Sequence, residues 1–170
     1  MIESKIPGLE FRENKIVGDP RGVLAELLPD GTGHPLAPRI GNVYAAIATG
    51  QYVPRAAHYH KKKIENAFTL SGTCLWVFKD MREGSSGAMQ AVIAGATAPA
   101  DSHDIPVYTF DRGLMLHIHI EPWIYHILYP LSADPVTVVI AASEPFDITD
   151  DYRFPDLEVP GIREYIERFV

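Results

Sequence analysis

The chain has 170 residues, long enough for one substantial core and too short to require two domains. A formal net charge of −7 argues against nucleic acid or an anionic membrane as the principal partner, while leaving room for an anionic small molecule held by local arginines. A single cysteine, Cys74, rules out an internal disulfide and fits a reducing cytoplasm. The N-terminal MIESKIPGLE lacks a signal-like apolar segment, and no apolar run approaches the roughly 18 residues of a membrane span.

The 14 prolines and 13 glycines interrupt the sequence too often for long helices. Short runs rich in β-branched and aromatic residues lie between them. They predict strands near Phe11–Val17, Gly22–Leu28, Asn42–Thr49, Ala56–His60, Ile64–Leu70 and Thr73–Phe78. Further strands are expected near Ala88–Ile93, Val107–Phe110, Leu114–Ile120, His126–Leu131 and Val136–Ala142. Leu70-Ser71-Gly72-Thr73 reads as a hairpin turn with Gly72 at positive φ, and Gly84–Gly87 and Ala94–Ala100 read as surface loops. Within Pro160–Val170, Ile162, Tyr165, Ile166 and Phe169 recur at helical spacing, which predicts a short packing helix. No internal repeat or linker divides the chain, so residues 1–170 are expected to form a single all-β domain, a sandwich or a barrel.

The most informative stretch is Gly50–Gly72. His58 and His60 stand one residue apart and face the same side of an extended strand, with Glu65 following a basic run, Lys61 to Lys63. Two imidazoles and a carboxylate on one interior either bind a metal or move protons. Elsewhere, His117 and His119 share a face with Met115 and Glu121, which points to a cavity lining or an interface. His34 and His103 sit in loop-like segments and read as solvated, and Cys74 reads as a small core residue.

The spacing H-x-H-x4-E-x6-G at His58, His60, Glu65 and Gly72 resembles the first cupin motif. Glu121-Pro122-Trp123-Ile124-Tyr125-His126 is similar to the second, with Trp123 where the family usually has glycine. This resemblance implies a cupin double-stranded β-helix, or jelly roll, with a short C-terminal helix. It also implies a possible divalent metal on His58, His60, Glu65 and His126.

A narrower resemblance lies around these motifs. Asp19-Pro20-Arg21-Gly22-Val23-Leu24-Ala25-Glu26, Arg55-Ala56-Ala57-His58 (with alanine where glycine is usual) and Asp80-Met81-Arg82-Glu83-Gly84-Ser85 are similar to segments of the dTDP-4-dehydrorhamnose 3,5-epimerases and dTDP-sugar 3,4-ketoisomerases. Ser143-Glu144-Pro145-Phe146-Asp147 and Asp150-Asp151-Tyr152-Arg153 look more like the ketoisomerases. That family resemblance implies a homodimeric isomerase of dTDP-linked 4-keto-6-deoxy sugars in surface-polysaccharide biosynthesis that requires no cofactor. His58 would be the proton-abstracting base, with His60 and Tyr44 beside it. Arg21 and Arg55, with Arg82 and Arg39 as weaker candidates, would hold the diphosphate, and Glu26 would bind the diphosphate-ribose region or a partner arginine.

One departure matters: the epimerases carry a lysine where Ala67 stands, so charge on the substrate oxygen must come from Lys61 to Lys63 or from a metal. A ligated imidazole cannot be the free base, so metal ligation and base catalysis by His58 are rival readings. The alternatives are a metal-dependent cupin, either a dioxygenase or a sugar isomerase, and a catalytically silent sugar-nucleotide-binding cupin.

Overall fold

The computed structural model describes residues 3–20, 22–28, 39–155 and 158–168. Within them twelve strands form two six-stranded sheets. The strands are β1 (Leu9–Asp19), β2 (Gly22–Ala25), β3 (Asn42–Ala48), β4 (Arg55–Tyr59), β5 (Glu65–Ser71), β6 (Thr73–Asp80), β7 (Met89–Gly95), β8 (Val107–Thr109), β9 (Leu114–Ile120), β10 (Ile124–Pro130), β11 (Val136–Ala142) and β12 (Tyr152–Arg153). One sheet runs β2-β1-β9-β5-β11-β3 and the other β12-β4-β10-β6-β7-β8, with only β7 and β8 pairing in parallel. This interleaving of distant strands is the jelly roll expected from the sequence.

Alternation decides what each strand buries. On β9, Leu116, Ile118 and Ile120 point between the sheets, where Phe11, Trp76, Phe78 and Leu128 meet them. A second apolar layer lies on the other face of the β4–β10–β6–β7 sheet. There Leu75, Val77, Ile93 and Ile127 are covered by Ile162 and Ile166 of the helix α1 (Ile162–Ile166). Burying an isoleucine of this kind is worth about 1.5–3 kcal/mol, so a helix far too short to be stable alone is held by the sheet it covers.

The expected turn at Gly72 is a different structure. Gly72 has φ +64° as predicted, but β5 pairs with β9 and β11 while β6 pairs with β10 and β7. The segment is therefore a corner that carries the chain from one sheet to the other. A Cβ on Gly72 would lie 2.8 Å from the Pro135 carbonyl oxygen, and one on Gly95 would lie 2.1 Å from that of Gly72. The two glycines let the backbones meet at this corner.

Candidate functional site

A cavity of about 310 Å³ opens between the sheets. Its apolar wall includes Trp76, Ile120, Leu128, Val138 and Ile140, and its polar wall carries Tyr44, His58, His60, Glu65, His126 and Asp151. The structure thus brings together the histidines and glutamate singled out by spacing, with His58 ring centroids 4.8 Å from His60 and 4.6 Å from His126.

His58 owes its direction to an irregularity. Ala56 and Ala57 both have positive φ, +66° and +56°, and the register between β4 and β10 slips there, so His126 pairs with His58 and Ile127 with Ala56. This bulge re-aims the strand just before the histidine. Positive φ is a conformation that glycine adopts freely and that Ala56 takes here at a cost. Trp123 likewise has φ +68° at a position where glycine is usual, and it is held by stacking on Tyr59 at 5.6 Å.

Pairing of β12 with β4 then sets Asp151 beside His58, with Nδ1 2.8 Å from Oδ1. The other carboxylate oxygen accepts from Arg153 Nε at 2.8 Å and Nη2 at 2.7 Å. Nδ1 lies against a carboxylate oxygen, at ion-pair distance but outside hydrogen-bond alignment, a contact that favours the tautomer with the proton on Nδ1 and Nε2 as the basic atom. Burial, reinforced by His126, pushes the His58 pKa down to about 3 despite the nearby Glu65 and Asp151, so the resting imidazole is neutral. Burial works against an ionised Asp151, but Arg153 and His58 outweigh it and lower its pKa.

Glu65 is the hub of the opposite wall. It accepts the Tyr44 hydroxyl at 2.6 Å and lies 3.6 Å from His60 Nε2 and 3.2 Å from His126 Nε2. Burial opposes its charge, yet His126 and His60 hold the carboxyl well below its usual range. For His60, burial is likewise outweighed by Glu65 and the Asp150 carbonyl, and its pKa rises. Burial and the Glu65 charge raise the Tyr44 pKa, so this phenol stays protonated and gives its proton to Glu65. A carbonyl can only accept, so His60 Nδ1–H donates to Asp150 O at 2.5 Å and His126 Nδ1–H to Ile124 O at 3.1 Å. Both Nε2 atoms then face a carboxylate, an arrangement that requires a second proton on the ring or a cation between them.

The remaining charges separate cleanly. Lys61 Nζ lies over the Trp123 and Tyr152 rings, 4.6 and 4.2 Å from their centroids, and Lys62 is exposed, whereas Lys63 is buried and lines the cavity. Arg55 lines the cavity at its exposed end. Arg21 lies outside the described residues, as does His34. Among the described lining residues Glu26 and Arg82 do not occur. Glu26 is exposed just after β2, and Arg82 is engaged bidentately with Asp80, at 2.8 and 2.7 Å, and with the Pro7 carbonyl. That geometry makes Arg82 a clasp on the turn after β6. Arg39 pairs with Glu144 on the surface.

His117 and His119 point away from the cavity, on the other face of β9, where both rings meet Asn66 Oδ1, at 2.6 and 3.1 Å. His103 is exposed, in keeping with its loop. Cys74 is fully buried and burial pushes its thiol up to about 12, which makes it a core residue. Sequence reasoning did not single out Asp151, Arg153, Trp76 or Phe146 as parts of one site. The first two were visible only as a family-like segment, because nothing local says that β12 returns to β4.

No protein-family model matches this chain, and no curated protein matches it in sequence. Solved structures do match in fold. A dTDP sugar isomerase from Desulfovibrio desulfuricans G20 superposes with a TM-score of 0.74 at 17% identity, over 95% of this chain and 92% of that one. ChmJ, a 3'-monoepimerase from Streptomyces bikiniensis solved with dTDP-quinovose, gives 0.71 at 20% identity over 95% and 79%. QdtA, a sugar 3,4-ketoisomerase from Thermoanaerobacterium thermosaccharolyticum solved with TDP, gives 0.63 at 19% identity over 96% and 98%.

Proposed function

We propose that this protein is an isomerase of a dTDP-linked 4-keto-6-deoxy sugar, acting through an enolate. The observation that carries the proposal is the His58–Asp151–Arg153 array, which sets a carboxylate against one imidazole nitrogen and favours Nε2 as base in a cavity open at one end. The fold likeness to a dTDP sugar isomerase, a 3'-monoepimerase and a sugar 3,4-ketoisomerase supports the choice of substrate class.

In this reading, Nε2 of His58 takes the proton from the carbon beside the C4 ketone. The C–H electron pair forms the new C=C bond and the carbonyl pair moves onto oxygen. The positive charge gained by His58 is matched by Asp151 on one side and the enolate on the other, which offsets the low resting basicity of the ring. A proton delivered to the same carbon from the opposite face gives an epimer, and delivery to C4, with the C3 hydroxyl proton passing to the C4 oxygen, gives the ketoisomer. Tyr44 positions the sugar with its oxygen lone pairs, since its proton is directed to Glu65. Arg55 and Arg153 at the exposed end suit the diphosphate.

The test is incubation with dTDP-4-keto-6-deoxyglucose in deuterium oxide. Deuterium at C3 or C5, seen by proton NMR, is expected. Absence of both exchange and product with this substrate would reject the reading.

We further place this activity in the cytoplasm, in a homodimer that serves surface-polysaccharide biosynthesis. The edge strand β3 supports the dimer, because Val43 and Ile47 leave more than half of their surface exposed on it. Light scattering on purified protein measures the mass directly.

A second reading is favoured by one observation, the pair of Nε2 atoms aimed at Glu65. Ligand atoms of His58, His60 and Glu65 lie within 4.8 Å of one another, and His126 adjoins them. Bonds of about 2.1 Å put two ligands of one metal at most about 4.2 Å apart, so the group fits a divalent ion after closing by several tenths of an ångström. Such an ion would supply a Lewis acid for a metal-dependent cupin enzyme, with Asp151 and the two backbone carbonyls orienting its imidazoles. Elemental analysis and a metal-induced rise in melting temperature, lost in Glu65→Gln, distinguish this from the first reading.

A further inference from the structure

We infer that Lys63 supplies the positive charge that meets the C4 oxygen of the substrate as it becomes an enolate oxygen. This rests on the isomerase reading above.

The cavity needs such a group. Ala67 presents only a methyl to it, and Tyr44 spends its proton on Glu65. His58 Nε2 is the base and cannot simultaneously donate, and His60 and His126 turn their Nε2 atoms to Glu65. Arg55 and Arg153 are exposed at the cavity's open end, and the guanidinium of Arg153 is bound to Asp151.

Lys63 differs from both its neighbours. It is 4% exposed and lines the cavity, and the carboxylate whose charge it meets is that of the exposed Asp147, with which it makes no direct ion pair. Its nearest ring is Phe146, whose centroid is 5.7 Å from Nζ, at the cavity margin. A buried lysine without a contacting counter-ion is costly, and an anionic oxygen arriving in the cavity would repay that cost only when charge develops there. This is the differential stabilisation that lowers a barrier.

Its place is built into the backbone. The amides of Lys61, Lys62 and Lys63 lie 2.9, 3.3 and 3.2 Å from the Asp150 carboxylate, which wraps the turn and turns the third lysine inward. The same Asp150 accepts from His60 through its carbonyl. Lys61 is meanwhile held outside by Trp123 and Tyr152.

The experiment compares native protein, Lys63→Met, Lys63→Gln and Lys63→Arg in deuterium exchange at saturating dTDP-4-keto-6-deoxyglucose, alongside calorimetric binding of dTDP. Loss of an oxyanion donor predicts exchange slower by about 10²–10³-fold in the two neutral variants, partial recovery in Lys63→Arg, and dTDP affinity unchanged. Two neutral variants are used so that one that fails to fold, as judged by circular dichroism, does not decide the matter. Native-like exchange in a folded neutral variant would overturn the inference. So would a weakened dTDP affinity with an unchanged saturated rate, which would make Lys63 a phosphate ligand. If the native protein itself does not exchange, the isomerase reading falls and this inference falls with it.

Discussion

Replacing Asp151 by asparagine tests the proposed base at its support. The side chain is 1% exposed, with one oxygen 2.8 Å from His58 Nδ1 and the other bound to Arg153. Asparagine must either set its amide nitrogen against the Arg153 donors or turn it toward Nδ1. The second choice forces Nδ1 to accept and moves the ring proton to Nε2, the atom that must act as base. The carboxylate also faces an imidazolium once His58 is protonated. Two unit charges about 4 Å apart at an effective dielectric of about 20 attract by about 4 kcal/mol. At about 1.4 kcal/mol per tenfold in rate, that corresponds to a loss of about 10³-fold. The assay is deuterium incorporation at saturating substrate, with dTDP affinity and circular dichroism as controls. Exchange within about tenfold of native, in a folded variant that binds dTDP normally, would refute the role given to Asp151.

Other outcomes follow from the same geometry. Arg82→Met strips the nearly buried Asp80 of its bidentate partner and should cost about 1–2 kcal/mol in urea unfolding while leaving dTDP affinity intact; a weakened affinity would return Arg82 to the binding site. Ala56→Gly relieves a left-handed alanine worth about 1–2 kcal/mol against about 0.4–1 kcal/mol of added chain entropy, so a gain of about 0.5 kcal/mol is expected, and a loss above about 1 kcal/mol would contradict it. Stability should peak near pH 6.5. Below it His58, with a native pKa of about 3 against about 6.5 unfolded, binds fewer protons folded than unfolded, so stability falls with acid through that window. Glu65 adds to this loss once the pH drops below its ordinary value. Above the peak, the contribution of His60 is lost as pH rises through its raised native value. A melting temperature that rises between pH 6.5 and 5 would refute the His58 assignment.

The strands were legible because their signals are local. Alternation on β3 and β9 and turn residues between runs locate eleven of the twelve strands within a few residues. The two-residue β12 has no pattern to read, and the helix is shorter than its apolar spacing suggests. Which strands pair is another matter. Gly72 looks like a hairpin in sequence because a one-residue link with positive φ serves a hairpin and a sheet-to-sheet corner alike. The imidazole–carboxylate cluster was visible because His58, His60 and Glu65 are neighbours in the chain. Asp151 reaches them from a distant segment through a strand pairing, and Lys63 is distinguished from Lys61 and Lys62 only by where the folded turn around Asp150 sends each side chain.

The neighbouring residues Asp150 and Asp151 therefore act as a pair of late fasteners. One secures the turn that presents Lys63, and the other secures His58, yet both lie about ninety positions after the groups they hold. A chain emerging from the ribosome cannot assemble its reactive centre until this segment has been released and β12 has docked on β4. Synthesis would thus complete the barrel before arming it, and a nascent chain could carry most of its core and still be chemically inert.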